Sequence, residues 1–253
     1  MFETCGLSVE VDAGFSLRAG TFHPAKWVWS LPRVAINSGI VALFTRTKVL
    51  QIEEQIEHYV VHTSRGAIRA RHVVNSTEAY TPALHPQFHD LVRPLQAQSA
   101  AGRGGPLRLP SDLPVSSALW FGDRRGEHVL FGTDATRTPD GAADQNRPLR
   151  FLTKFALGEM MSDTSRFAME VPHAWSGAMG LTVDEYLPVG LIDGERQYLI
   201  GGMCGSGTGA AFNAGRCIVN HDLGLSEESD DYQPEYCSRS RLLDPASQHW
   251  PES

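Results

Sequence analysis

The first clear periodicity in the chain lies between His23 and Gly39. Apolar side chains recur there at the spacing of one helix face, at Trp27, Val28, Leu31, Val34 and Ala35. Pro24 suits the first turn of such a helix, and Gly39 suits its C-terminal stop. Pro32 lies inside the segment. The pattern therefore predicts a helix that is kinked or interrupted at that turn.

A block rich in strand-forming residues follows this helix. Strands are predicted in the segments "IVALFT", "KVLQIEEQ", "HYVVHTS" and "AIRARHVVNST". Apolar and polar residues alternate in "HYVVHT" and "AIRARHVV", which predicts a small antiparallel meander. The overlapping segment "HVVNSTEAYTPAL" predicts a buried strand, then a polar turn, then a short helix or loop.

The middle of the chain has weaker signals. From Val92 to about Val115 it is rich in glycine and proline, and we expect a loop. The segment "SSALWFGDRRGEHVLFGTDA" predicts a hairpin that turns between Asp123 and Gly126, and "PLRFLTKFALGEMM" predicts an amphipathic helix. After Leu225 the chain is polar and interrupted by prolines, so we expect this tail to follow the surface or to fray.

The segment "YLIGGMCGSGTGAAFNAG" predicts a strand, a glycine-rich turn and a helix of small residues. Such a turn lets a ligand approach the backbone closely, and the N-terminus of the helix presents partial positive charge to it. A tight packing turn between strand and helix has the same pattern, and this alternative stays open. The opening of a dinucleotide-binding fold is disfavoured, because a second strand with an acidic residue should follow and the polar tail follows instead.

Composition narrows the range of partners. The chain has 253 residues, a net charge of -7 and no run of lysine and arginine, so nucleic acid and anionic membranes are not expected partners. No apolar run is long enough to span a bilayer, and no N-terminal signal pattern is present. The four cysteines are far apart, which favours free thiols. We therefore expect a cytoplasmic protein.

Two common chemistries are not supported by the residue spacing. His58 and His62 lie in a predicted strand, where a separation of four residues is about 13 Å, too far for one metal ion. Serine hydrolases place one residue between the nucleophile and each glycine, whereas Ser206 is flanked directly by glycines. Neither a metal site nor a catalytic serine is predicted.

The residues around the glycine turn resemble a known family. The segment "WSGAMGLTVDEYLPVG" and the glycine turn after it are similar to the C-terminal signature of FAD-dependent D-amino-acid, sarcosine and glycine oxidases, in the manner of fungal members. The matching residues are Trp175, Gly177, Met179, Thr182, Asp184, Pro188, Gly202, Gly205 and Gly207. The segments "GTFHPAKWVWSL" and "RTKVLQI" and the meander also resemble that family, in the same order.

The chain departs from the family pattern in three places. The family's opening strand, G-x-G-x-x-G turn and helix, which hold the FAD pyrophosphate, are not seen before the helix at His23. Ser206 stands where the family usually has a histidine, and "PLQA" (94 to 97) replaces its P-x-R-G turn. "AMGLT" lacks the cysteine that links flavin covalently in some members, so we expect any FAD to be non-covalent.

The resemblance implies a mixed α/β (α+β) fold, with an incomplete Rossmann-like FAD/NAD(P)-binding domain and an antiparallel-sheet substrate domain. It places a partial FAD-binding domain in residues 1–91, the substrate domain in 92–173, the rest of the FAD-binding domain in 174–225 and a tail in 226–253. It implies eight FAD-contacting residues: Val49 on the adenine side, Thr77 on the phosphate side, and Met179, Cys204, Gly205, Ser206, Gly207 and Thr208 at the flavin ring.

The activity implied by the resemblance is oxidation of a C–N bond in an amine or amino acid, with hydride transfer to flavin and reoxidation by O₂. No residue maps securely to a catalytic role. The alternative is a non-catalytic remnant of the family that binds FAD weakly or not at all. Either way, the uncovered sheet predicts poor solubility or a partner chain that supplies the missing segment.

Overall fold

The computed structural model describes residues 20–103, 115–116, 120–136, 170–193 and 196–225, together with residues 242, 244, 245 and 250. Its α-helices are α1 (Pro24–Asn37), α2 (Thr81–Leu84) and α3 (Gly207–Asp222), and short 3₁₀ turns cover Glu78–Tyr80 and Pro86–Phe88. Its strands are β1 (Val49–Glu54), β2 (Tyr59–Thr63), β3 (Gly66–Ala70), β4 (Val73–Asn75), β5 (Arg93–Arg103), β6 (Val115–Ser116), β7 (Trp120–Arg125), β8 (His128–Thr136), β9 (Glu170–Leu181), β10 (Val189–Asp193) and β11 (Gln197–Ile200).

Three sheets organise the described strands. One is the meander β1-β2-β3, one is the five-stranded sheet β6-β7-β8-β5-β9, and one has the order β10-β11-β4. The last sheet is mixed, because β11 pairs antiparallel with β10 and parallel with β4. Four-residue β11 is buried along its whole length. This mixture of helices with parallel and antiparallel strands confirms the predicted fold class.

Helix α1 forms where the periodicity predicts it. The side chain of His23 caps its N-terminus by accepting from the Lys26 N–H at 3.4 Å, and the helix ends before Gly39. Pro32 lies within the helix without interrupting it. None of the residues of α1, all of which the structure describes, is buried. The apolar face of this helix is therefore exposed.

The meander is confirmed, but the strand predicted in "IVALFT" is wrong. Residues 41–44 have no regular structure, and the chain turns at Thr45 and Arg46, where Arg46 has a φ of 53°. An apolar run forms a strand only where a neighbouring strand accepts its hydrogen bonds, and no described strand pairs with this run.

The loop predicted from Val92 to Val115 is also wrong over its first part. Strand β5 occupies residues 93–103 at an interior position of the five-stranded sheet, between β8 and β9. Hydrogen bonding on both sides outweighs the local glycine and proline signals. The predicted hairpin is confirmed as β7 and β8, although its turn lies at Gly126 and Glu127 rather than at Asp123 to Gly126. The helix predicted at 148–161 lies outside the described residues.

The C-terminal tail contributes to the core, contrary to the surface position expected for it. Leu242 is buried together with Phe88, Leu91, Val92 and Leu199. The indole of Trp250 donates to the Asp90 carbonyl at 2.7 Å and lies against the Arg93 guanidinium. Isolated apolar residues in a polar segment give no periodicity, so local pattern could not reveal this packing.

The second hydrophobic cluster places α3 on the mixed sheet. Ala214 and Ile218 of α3 pack against Val189, Tyr198 and Ile200. At the far end of the helix, the Tyr198 hydroxyl donates to Asp222 at 3.1 Å, and the His72 side chain lies 2.7 Å from the same carboxylate. Burial and Asp222 together raise the pKa of Tyr198 to about 12, so the hydroxyl remains a donor. The axis of α3 is thereby held at its C-terminal end.

If the tail belongs to the core, Leu242→Ala should lower the free energy of unfolding by about 2–5 kcal/mol, as expected for a buried leucine. Leu223→Ala is the matched control, since that leucine is 64% exposed and its truncation should change stability by less than about 0.5 kcal/mol. Chemical denaturation of both variants checks this. Equal stabilities for the two variants would place Leu242 on the surface.

Candidate functional site

The glycine turn between β11 and α3 has an unusual backbone. Gly202, Cys204 and Gly205 adopt φ values of 58°, 50° and 82°, in the left-handed region. Glycine tolerates that region, whereas a cysteine there is strained by about 1–3 kcal/mol. Such strain persists only where the surrounding structure imposes it.

Cys204 is held against the end of β9. Its N–H donates to the Gly180 carbonyl at 3.0 Å, and its thiol lies 3.4 Å from both the N–H and the hydroxyl of Thr182. The thiol also donates to the Gly202 carbonyl at 3.1 Å. The turn is thus fastened to β9 by backbone and side-chain contacts around one strained residue.

A second fastening comes from Glu78, which lies just after β4. Its Oε1 atom accepts from the Gly180 N–H at 3.1 Å and from the Met203 N–H at 3.2 Å. Its Oε2 atom is buried and has no hydrogen-bond partner among the described residues. Glu78 itself has a φ of 49°. One carboxyl group therefore joins β9 and the glycine turn.

Burial raises the pKa of the Glu78 carboxyl above its ordinary value of 4.5. The N–H groups of Gly180, Met203 and Gly202 oppose this shift, although only those of Gly180 and Met203 meet hydrogen-bond geometry. The pKa of Glu78 is higher in the folded protein than in the unfolded chain. Its contribution to the free energy of unfolding is therefore complete below about pH 4.5. That contribution is lost as the pH rises through the raised pKa.

Close approach explains why several glycines are required. A Cβ atom on Gly180 would lie 2.2 Å from the Oε2 atom of Glu78. One on Gly202 would lie 2.7 Å from Thr182, and one on Gly205 would lie 3.1 Å from the sulfur of Met179. The turn can pack on β9 only without side chains at these positions.

The start of α3 is open to solvent. Gly205, Ser206, Thr208 and Gly209 are exposed, and a Cβ on Gly209 would meet no atom within 4 Å. Ser206 occupies the N-cap, yet its side chain makes no capping hydrogen bond. The first turn of α3 contains no acidic residue. The first amides of a helix have no intrahelical acceptor, so this end can receive an electron-rich or anionic group.

The structure brings most of the eight predicted site residues together. Met179 lies directly beneath Gly205, next to the run from Cys204 to Thr208. The Thr77 hydroxyl is 3.1 Å from that of Thr81, which donates to the Glu78 carbonyl, so Thr77 is connected to the turn through two residues. Val49 begins β1 opposite Thr63, and β1 lies against α2. Contact between Val49 and a nucleotide stays a prediction.

Sequence reasoning missed Glu78, Gly180 and the role of Thr182 in holding the turn. An acidic residue in "NSTEAYT" has the pattern of an exposed turn, and nothing in its spacing signals burial. Its partners are 102 and 125 residues away in the chain. The unassigned glycine at position 180, inside an otherwise strand-like segment, was the one signal of close approach.

Among the described residues, no group of three or more histidine, cysteine, aspartate or glutamate side chains could hold a metal ion. His62 pairs with Glu53 and His58 with Arg69. No helix in the described part of the chain is both long and apolar enough to cross a membrane.

The fold is that of a flavin-binding oxidoreductase. A sequence model described as "FAD dependent oxidoreductase" matches residues 3–221. The chain belongs to that family, whose cofactor is FAD.

Known proteins similar to this chain are consistent with that assignment. The probable oxidoreductase OrdL of Haemophilus influenzae is 22% identical over an alignment of 235 residues, and the match covers 88% of this chain and 52% of that protein. Glycine oxidase from Geobacillus kaustophilus superposes with a TM-score of 0.63 at 20% identity, over 81% of this chain and 55% of that one. L-Proline dehydrogenase from P. horikoshii gives 0.62 at 16% identity, over 78% and 55%.

The chain is shorter than these relatives. The chain spans about half of each relative that it matches, 52% of OrdL and 55% of the two solved enzymes. At such identities the solved structures establish the fold and not a substrate.

The close approach at position 180 gives a direct test of the site. Gly180→Ala should push the Glu78 carboxyl away and lower the free energy of unfolding by about 1–3 kcal/mol, as overpacking does. Gly215→Ala is the matched control, because a Cβ there meets nothing within 4 Å and alanine favours a helix interior by up to about 1 kcal/mol. Thermal or chemical unfolding measures both. A neutral effect at position 180 would contradict the described contact.

Proposed function

We propose that this chain carries the flavin-facing part of an FAD-dependent oxidoreductase that oxidises the C–N bond of an amine or amino acid. The observation that carries the proposal is the exposed, uncapped N-terminus of α3, with Cys204 and Gly205 held in left-handed conformations by β9. The names of glycine oxidase, L-proline dehydrogenase and an L-amino acid deaminase support the substrate class by analogy.

Each part of the site has a role in this proposal. The chemistry supplied by bound FAD is acceptance of a hydride from the carbon next to the substrate nitrogen, followed by reoxidation by O₂. The amides between Cys204 and Thr208 would hold the electron-rich edge of the flavin ring, where the helix dipole would stabilise negative charge. Met179 packs against Gly205 of that turn. Thr77 would contact the phosphate side of the cofactor and Val49 its adenine side.

The residues present fit a non-covalent flavin. The turn combines glycines that permit close approach with a helix start that lacks both a cap and an acidic residue. Substrate contacts would come from residues 92–173, much of which lies outside the described residues, so we name no catalytic residue.

A second candidate function is a non-catalytic relative with weak or no FAD affinity. The observation that favours it is the amount of exposed apolar surface on α1 and the segment after it. Exposed fractions reach 78% at Trp29, 70% at Val34 and 88% at Ile40. Strand β4 is also an edge strand of its sheet, parallel to β11, with one side open among the described strands.

We also propose that another polypeptide segment, carrying a strand and a nucleotide-binding helix, covers this surface. An open parallel edge accepts a further parallel strand, and the exposed face of α1 needs an apolar cover. Relatives about twice as long have room for such a segment.

FAD titration of the purified 253-residue chain decides between the two candidate functions. A yellow protein near one flavin per chain, or one that binds added FAD with quenched flavin fluorescence, supports the oxidoreductase. Gly205→Val should then weaken FAD binding about tenfold or more, since a branched side chain cannot adopt that φ and blocks the approach. A colourless protein that binds no added FAD favours the non-catalytic relative.

The uncovered surface predicts self-association of the chain alone. Replacing Trp29 and Val34 together by glutamate should restore a monomer at concentrations where the original chain scatters light. Val219→Glu on α3 is a matched control, because Val219 is also exposed, at 53%, but lies outside the α1 surface. Analytical ultracentrifugation of all three measures this. A monodisperse monomer for the unmodified chain would contradict the need for a covering segment.

A further inference from the structure

The link between β9 and the glycine turn depends on a side chain from a third element. Strand β9 and the turn share one direct backbone hydrogen bond, from the Cys204 N–H to the Gly180 carbonyl. The neighbouring N–H groups of Gly180 and Met203 both donate to the Oε1 atom of Glu78 instead. A carboxyl oxygen thus takes the place of a carbonyl from a neighbouring strand.

Met203 connects the Glu78 carboxyl to the start of α3. Met203 precedes the first residue of α3 by four positions, and its carbonyl accepts from the N–H of the N-cap residue Ser206 at 2.9 Å. A Cβ on Gly207 would lie 3.0 Å from the Met203 side chain, so Met203 also packs beneath the first turn. A shift of Met203 would therefore move the start of the helix.

The backbone conformation and the partial burial of Glu78 both cost folding free energy. The residue has a left-handed φ of 49°, and its Oε2 atom is enclosed without a partner among the described residues. The groups that bear on its pKa are burial and backbone N–H groups, with no charged side chain of the described residues among them. Ionisation of Glu78 thus places an uncompensated negative charge near the positive end of α3.

We propose that Glu78 is a positioning residue whose carboxyl group fixes the glycine turn against β9 and whose charge sets how strongly the start of α3 attracts an electron-rich ring. This inference rests on the proposed function only in its second half, where the ring is that of flavin. Protonated Glu78 leaves the helix end positive. Ionised Glu78 partly cancels that potential and weakens the attraction.

The first test needs no flavin. In the ¹⁵N-labelled full chain, kept monomeric by Trp29→Glu and Val34→Glu, the amide resonances of Gly180 and Met203 should shift with pH through one shared midpoint above 4.5, the ordinary value for glutamate. Adding Glu78→Gln keeps an acceptor for both N–H groups and removes the charge, so the shared titration should vanish while the fold remains. Independent or absent titration of the two amides in the chain that retains Glu78 would overturn the positioning role.

The second test uses FAD as the probe. Glu78→Ala should weaken FAD binding about tenfold or more and change the flavin absorption spectrum, since the N–H groups of Gly180 in β9 and of Met203 in the turn lose their shared acceptor. Glu78→Gln should keep the affinity measured at low pH, and its FAD affinity should no longer fall as the pH rises past the midpoint. Unchanged affinity and spectrum in both variants would overturn the inference. Failure of the unmodified chain to bind FAD would contradict the proposed function. The amide titration would still test whether Glu78 joins Gly180 to Met203.

Discussion

The structure depends on a small set of hydrogen bonds between segments far apart in the chain, at the junction of β4, β9 and the glycine turn. The Gly180 carbonyl accepts from the Cys204 N–H, and the Gly180 N–H donates to Glu78, which also accepts from the Met203 N–H. These bonds force a cysteine and a glutamate into left-handed conformations that they would not adopt alone. They hold Met203 and Cys204, which lead into the N-terminus of α3, against β9.

Elements with a local signal were predictable from sequence, and elements built by long-range pairing were not. A periodicity or a glycine pattern marks three parts of the chain: helix α1, the meander β1-β2-β3, and the segment from β11 through the glycine turn to α3. Strand β5 has several small residues and one proline, Pro94, and it is a strand because it pairs with β8 on one side and β9 on the other. Leu242 is buried among distant residues, and the half-buried Glu78 carboxyl accepts from a distant N–H group. No window of sequence contains that information.

The same division applies to the candidate site. A cluster of glycines is visible in the sequence, so the turn and the residues from Cys204 to Thr208 were predictable as a place where a ligand or another segment approaches the backbone closely. The supporting residues carry ordinary side chains in ordinary sequence contexts. Thr182, for example, reads as a strand end, yet its hydroxyl lies 3.4 Å from the Cys204 thiol and donates to the Tyr186 carbonyl at 2.9 Å.

The two ends of α3 differ in their hydrogen bonding. This difference favours a ligand-contacting role for the glycine turn over a role in packing alone. The C-terminal end is held by Tyr198, Asp222 and His72, with its polar groups engaged. The N-terminal end is held by β9 and Glu78, but its N-cap residue Ser206 makes no capping hydrogen bond, and Ser206, Thr208 and Gly209 are exposed. A turn evolved only for packing would gain about 1 kcal/mol from an N-cap side chain, and Ser206 is in position yet does not cap. An end that is rigidly supported and left chemically open is the arrangement required where an electron-rich ring is to be received.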